Sequence, residues 1–299
     1  MYPVVYIHKW THKYLEISIQ QSLKKNKRVI LIWDENNKKI AEKYWIEWAS
    51  FDENNINNFR KYYKHNKQNT NYEFELMCFE RWFVLLEIIK KYKIDRCLYI
   101  DSDILYYWNV DEEFKRIEKY WNYELAYPNF SWHTTYIFSQ NSLKDLCDFM
   151  LKCYKDKDLY ERLLNRPLIY QPWISDMSIF QLYKFYYPVK VFDLTKDYWD
   201  KIVYDGFINF SEWYKTLFWK KYFTIKNNKI FVYKNKEKYE TKTLHFQMHM
   251  KAFMWMIFHK KVRLFRILMI FNFIVEYCYF KFSFIMTLRR KWKDKNLFK

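Results

Sequence analysis

CLYIDSDILYY, Cys97 to Tyr107, is an apolar strand that runs directly into Asp101-Ser102-Asp103. Residues two apart in a strand project to the same side, which places the two carboxylates within about 7 Å of each other. Two such charges repel unless a cation sits between them. Oxygen ligands suit a hard divalent ion, Mg²⁺ or Mn²⁺, which also bridges phosphates. In open α/β sheets, ligands bind at the carboxyl ends of strands. A lone D-x-D also occurs in solvated turns; the four apolar residues before this one favour the strand end.

Working outward, strand-like and helix-like segments alternate. Tyr2 to His8 reads as a strand, Tyr14 to Lys25 as an amphipathic helix, and Arg28 to Trp33 as a buried strand. Asn54 to Asn71 is polar and Asn-rich, a loop or weak helix. A long helix follows over Glu73 to Tyr92, then the strand Arg96 to Ile100. Beyond the D-x-D come a charged helix (Asp111 to Tyr120) and strands near Glu124 to Tyr127 and Thr134 to Phe138. The next helix, Ser142 to Tyr154, is expected to be capped by Ser142, with Asp145 three residues on. This repetition implies an α/β fold: a mainly parallel sheet with helices on both faces. No repeat and no Gly- or Pro-rich linker interrupts it before Met254.

Composition narrows the classes. Of 299 residues, 51% are hydrophobic, enough to bury a full core. A single Gly excludes every phosphate-binding loop built from repeated glycines. Five scattered cysteines, Cys78, Cys97, Cys147, Cys153 and Cys278, form no C-x-x-C and read as small buried hydrophobes of a reducing compartment. The start, MYPVVYIHKW, lacks a basic segment followed by an apolar stretch, so a cytoplasmic location is expected.

The net charge is +18, and it is unevenly spread. Residues Met254 to Lys299 hold 11 Lys/Arg against Glu276 and Asp294, half of the total surplus. The longest uncharged run there, Ile267 to Val275, is nine residues, against the ~20 that span a bilayer. A basic amphipathic helical tail lying on an anionic membrane surface fits this pattern; a C-terminal helix packed on the body, followed by a solvated tail, fits it too. The expected division is therefore a domain over 1–253 and a tail over 254–299.

Two further features bear on chemistry. Arg81 interrupts the apolar stripe of Met77, Val84, Leu85 and Ile88, and a buried guanidinium must meet an anion, either an internal carboxylate or a bound phosphate or sugar carboxylate. Glu73, Glu80 and Glu87 recur on a different line and read as a solvated face. LHFQMHMKAF, Leu244 to Phe253, holds His245, His249 and Lys251: a metal-ligating imidazole and a cation suited to a diphosphate. A zinc pair at His245 and His249 lacks the neighbouring Glu of a metalloprotease.

The order of these features, an Arg, a strand-terminal D-x-D and a late His-x-x-x-x-x-Lys, resembles the GT-A nucleotide-sugar transferases, particularly glycosyltransferase family 8, over roughly residues 2 to 253. Arg81 matches the family's Arg on the helix before the metal strand, and Asp101/Asp103 its D-x-D. Asp176 in WISDMSIFQLY looks like its D-Q-D-like helix start, and His245 with Lys251 its terminal H-x-x-G-x-x-K-P-W. Met248 stands where the family has Gly, Ala252-Phe253 replace Pro-Trp, and Met177 replaces the Gln after Asp176.

The resemblance implies a GT-A (Rossmann-like) fold and transfer of a sugar from a nucleoside-diphosphate sugar, UDP-sugar above others, with retention. Asp101, Asp103 and His245 would hold Mn²⁺ or Mg²⁺, Lys251 and Asp101 would meet the donor diphosphate, and Arg81 the donor sugar or a phosphate. Asp176 would orient sugar hydroxyls or sit near the anomeric carbon, and Val5, Tyr6, Ile7 and His8 would line the base, with Tyr6 stacking on it or simply packing in the core. A glycan or lipid-linked acceptor, such as a lipopolysaccharide core or capsule precursor, would suit a membrane-apposed tail. Charge and aromatics also suit a nucleic-acid binder, yet no nucleic-acid motif appears and half of the surplus charge sits in the tail, so no nucleic-acid partner is expected. A metal-dependent phosphodiesterase could use the same aspartates, and an inactive membrane-peripheral scaffold would share the same charge pattern.

Overall fold

The computed structural model describes residues 1–33, 35–50, 57–66, 71–120, 122–129, 132–165, 174–196, 200–208, 213–217, 220–268 and 270. The first part runs β1 (Val4–His8), α1 (Lys13–Leu23), β2 (Val29–Trp33), α2 (Glu35–Tyr44), β3 (Glu47–Ser50), α3 (Asn57–Arg60), α4 (Tyr72–Lys91), β4 (Cys97–Ile100) and β5 (Ile104–Tyr106). It continues with α5 (Val110–Glu118), β6 (Leu125–Tyr127), β7 (Thr134–Ile137), α6 (Gln140–Lys155), α7 (Lys157–Asn165), α8 (Asp176–Tyr186) and β8 (Val191–Asp193).

Seven strands form one sheet in the order β3-β2-β1-β4-β7-β6-β8. Only β7 pairs antiparallel, with β4 on one side and β6 on the other; the remaining pairs are parallel. The side-chain alternation of these strands sorts the core into two layers. Val5, Ile7, Ile30, Ile32, Cys97 and Tyr99 pack against α4, α6 and α8. Val4, Tyr6, Val29, Leu31, Leu98 and Ile100 pack against α1, α2 and α5. Strands buried on both faces read as nearly continuous apolar runs, as VVYIH and VILIW do. The mainly parallel α/β architecture expected from the sequence is the one observed.

Two local expectations need correction. The N-cap of α6 is Ser139, whose hydroxyl accepts from Ser142 N–H; Ser142 itself is inside the helix. Glu80 is not on a solvated face. It is 1% exposed and forms a two-pronged pair with Arg60, the last residue of α3. The Asn-rich stretch therefore contributes one helical turn, and its residues 54–56 and 67–70 lie outside the described residues.

A second, smaller layer follows: β9 (Ile202–Val203), β10 (Thr216–Leu217), β11 (Lys220–Lys221), β12 (Phe223–Lys226), β13 (Lys229–Lys234), β14 (Glu237–Thr241), β15 (Thr243–His245), a 3₁₀ turn over Met248–Phe253 and α9 (Met254–Phe258). Strands β12-β13-β14-β9 form a four-stranded sheet, and β15 pairs antiparallel with β5. Met254, Ile257 and Phe265 are buried against Phe223, Ile230 and Val232 of this layer. The expected boundary after residue 253 is thus crossed by a continuous core. Residues 271–299, most of the expected tail and Cys278 with it, lie outside the described residues. Among the described residues no helix is long and apolar enough to cross a membrane.

Candidate functional site

Strand β4 ends at Ile100, so Asp101 and Asp103 are not consecutive strand residues as expected. They flank a turn, closed by Ile104 N–H on the Asp101 carbonyl, that leads into β5. Both nonetheless line one cavity of about 610 Å³, together with Arg81, Asp176, His245 and Lys251. The cavity lies at the carboxyl ends of β1 and β4, where the sheet's parallel strands open.

One half of the site is built by α4. Asn71 caps this helix, accepting from Glu73 N–H and Phe74 N–H, and further along it Arg81 reaches the sheet edge at Asp101. The guanidinium is spread over four anionic or polar partners, beginning with Nε, which donates to the Cys78 carbonyl at 3.0 Å. Nη1 donates to Asp101 Oδ1 at 2.7 Å and to the Tyr99 hydroxyl at 2.9 Å, and Nη2 donates to Asp176 Oδ2 at 2.5 Å. Tyr99 in turn donates to the same Asp101 oxygen. Burial works against the charge on Arg81, but Asp101, Tyr99 and Asp176 more than offset it and hold the guanidinium firmly protonated. Asp176 is the first residue of α8 and also takes Trp82 Nε1–H at 3.4 Å. Arg81 thus meets internal carboxylates, one of the two kinds of anion expected for it.

The other half comes from far along the chain. Antiparallel pairing of β15 with β5 sets His245 opposite Ile104, and Phe246 N–H donates to the Asp103 carbonyl at 2.9 Å. His245 Nε2 lies 3.5 Å from Asp103 Oδ1, and Lys251 Nζ lies 3.0 Å from Asp103 Oδ2. Burial would raise the Asp103 carboxyl, but His245 and Lys251 outweigh it and hold it below the usual carboxylate range. By the converse effect, Asp103 raises both His245 and Lys251 against the lowering pull of burial.

Tyr6 is where the base-stacking expectation fails. Its ring is fully buried in the layer under α1, and its hydroxyl meets Ser18 and Ser22 at 3.0 and 2.7 Å. Position along β1 explains this: Tyr6 lies inside the strand, whereas the cavity is met at its carboxyl end by Ile7 and His8. His8 meets Ser102 Oγ at 3.0 Å and His12 Nδ1 at 2.8 Å, and burial with the nearby charges of His12 and Lys251 pushes its pKa down to about 3. Sequence reasoning also missed His133 and Gly206. The Gly206 carbonyl receives His245 Nδ1 at 2.6 Å and His133 Nε2 at 3.1 Å. The one glycine in the chain was the available signal.

Asp101, Asp103 and His245 supply two carboxylates and an imidazole, a donor set for Mg²⁺ or Mn²⁺. His245 also has the arrangement expected of a ligating histidine, with the second ring nitrogen already committed to a carbonyl. The donor chemistry fits a divalent ion. As placed, however, Asp101 is drawn to Arg81, and among the described residues no three His, Cys, Asp or Glu groups converge at ligand spacing.

No protein-family model and no curated protein matches this sequence. Several solved structures are similar to it. Mouse xyloside xylosyltransferase 1 in its apo form is 10% identical, with a TM-score of 0.48 over 64% of this chain and 84% of that one. The galactosyltransferase LgtC, in complex with donor and acceptor sugar analogues, is 12% identical, with a TM-score of 0.40 over 64% of this chain and 73% of that one. A cytidylyltransferase from Leptospira borgpetersenii is 11% identical, with a TM-score of 0.33 over 63% of this chain and 95% of that one. With TM-scores below 0.5, what the cavity does must be argued from its own side chains.

Proposed function

We propose that the protein is a glycosyltransferase that moves a sugar from a nucleoside-diphosphate sugar, a UDP-sugar first, to a glycan or lipid-linked acceptor, assisted by Mn²⁺ or Mg²⁺. One observation supports this above others: two carboxylates and an imidazole face one cavity that also holds Arg81 and Lys251. That combination suits a substrate bearing several phosphate charges next to a neutral, hydroxyl-rich group. Asp101, Asp103 and His245 would hold the ion, which supplies positive charge against the departing diphosphate. Lys251 stands beside Asp103 and would add its ammonium to the same leaving group. Asp176, oriented by Arg81 and Trp82, would accept from sugar hydroxyls. Arg81 lines the same cavity and would contact the donor sugar or a phosphate there. Retention of configuration follows from the family 8 resemblance alone.

For location, we propose peripheral attachment to the cytoplasmic face of an anionic membrane through the basic C-terminal residues, whose charge pattern supports it.

The test is calorimetric titration of UDP with and without Mn²⁺, repeated on Asp103→Asn with its fold checked by circular dichroism. Binding that needs the metal and is lost in the variant is expected; equal binding in all arms would overturn the reading. Products discriminate a phosphodiesterase. A transferase turning over slowly on water releases UDP and free sugar, whereas a phosphodiesterase releases UMP and sugar phosphate.

A further inference from the structure

His245 is held from three directions by one short segment, residues 205–208. Its backbone N–H donates to Asp205 Oδ2 at 2.9 Å, its carbonyl accepts from Ile208 N–H at 3.2 Å, and its ring nitrogen Nδ1 meets the Gly206 carbonyl at 2.6 Å. That segment is itself anchored. Lys221 Nζ pairs with Asp205 Oδ1, both side chains being essentially inaccessible at 1% and 0%, and Lys221 N–H donates to the Ile208 carbonyl at 2.9 Å. From the other side, His133 brings Nε2 to the same Gly206 carbonyl while its own carbonyl accepts Asp101 N–H at 2.7 Å.

A carbonyl oxygen only accepts, so the nitrogens facing Gly206 carry protons: Nδ1 of His245 and Nε2 of His133. Neutral His245 is thereby fixed as the Nδ1–H tautomer, with Nε2 bare and directed at Asp103. A fully buried Lys–Asp pair sacrifices the hydration of both ions, and apolar side chains in its place are often as stable or more so. Its presence beside a histidine backbone needs another reason.

We propose that Asp205, Lys221 and His133 are positioning residues that fix the place and tautomer of His245, and that His133 ties this setting to Asp101. The proposal rests on the reading of His245 as a ligand only for its consequence; the tautomer itself stands apart from it. The assignment concerns this chain's own groups: Asp205 sets the backbone, Lys221 holds Asp205, and His133 shares the carbonyl that orients the imidazole.

The experiment uses the full chain. Nitrogen-15 NMR of the neutral His245 ring, assigned by its loss in His245→Gln, should show the proton on Nδ1 alone in the unsubstituted protein. In His133→Phe and in the double variant Asp205→Asn/Lys221→Met, which removes the ion pair yet keeps an acceptor for His245 N–H, the ring should become a tautomer mixture. Mn²⁺ affinity, read from the electron paramagnetic resonance of free Mn²⁺, should fall roughly 10–100-fold. A pure Nδ1–H ring with unchanged Mn²⁺ affinity in both variants overturns the proposal, whatever their melting temperatures. So does an Nε2–H ring in the unsubstituted protein, which covers variants that do not fold. Absence of any Mn²⁺ binding by the unsubstituted protein would defeat the metal reading and leave the tautomer result to decide this one.

Discussion

Arg81 joins two residues that the chain separates widely: Asp101, 20 positions on, and Asp176, 95 positions on. Its side chain is 12% exposed and that of Asp176 5%, so removing the guanidinium strands carboxylates in a poorly solvated place. Arg81→Met is expected to cost roughly 3–5 kcal/mol, the usual penalty for breaking a buried pair by one partner. Urea unfolding checks it, and a loss under 1 kcal/mol would show that Asp101 and Asp176 do not depend on Arg81. Tyr6 makes the opposite case. Tyr6→Phe removes a hydroxyl bonded to Ser18 and Ser22 and should lower stability by about 1 kcal/mol while leaving UDP affinity unchanged. A changed UDP affinity would return Tyr6 to the site. The sequence exposed Arg81 because a guanidinium on an apolar stripe is an anomaly that demands an anion. It could not expose the partner, because nothing local says that the start of α8 lands on the same sheet edge. Glu80 was misread for the same reason: its companion Arg60 sits on a single helical turn that leaves no periodic trace.

At the scale of elements, parallel strands were legible because burial on both faces makes them continuous apolar runs, and helices α1, α4 and α6 because their buried stripes repeat. The pairing of β15 with β5 was not, since three residues, Thr243–His245, carry no pattern of their own. It is nevertheless the pairing that brings the late histidine to the D-x-D. Helix ends were legible only to within a turn, as the α6 cap shows. Asn71 and Ser139 lend themselves to a comparison. Ser139→Ala should destabilise by about 1 kcal/mol through loss of the acceptor for Ser142 N–H. Asn71→Ala should cost a similar amount and, because α4 carries Arg81, also weaken UDP binding. Equal effects of both substitutions on UDP binding would show that the phase of α4 is set elsewhere.

On the scale of the whole molecule, the charge and the core divide the chain at different places. Charge divides it near residue 254, where the basic surplus begins; packing does not, because Met254, Ile257 and Phe265 complete the core of the smaller layer at 0%, 1% and 5% exposure. Burying such side chains contributes about 1.5–3 kcal/mol each, so a chain ending at Phe253 would forfeit roughly 5–9 kcal/mol. That is comparable to the whole stability of a typical domain, about 5–15 kcal/mol, and such a chain should be recovered unfolded or insoluble. A chain ending at Ile270 keeps all three residues and should melt within a few degrees of the full protein by scanning calorimetry. It is therefore the proper vehicle for testing membrane attachment. Of the 11 Lys/Arg beyond residue 253, it retains Lys260, Lys261, Arg263 and Arg266 and loses the other seven. Each basic residue near an anionic surface adds about 1 kcal/mol, and the loss of seven should abolish co-sedimentation with phosphatidylserine vesicles that the full chain shows at low salt. If the shortened chain, folded and melting normally, still sediments as the full chain does, the basic tail is not the anchor.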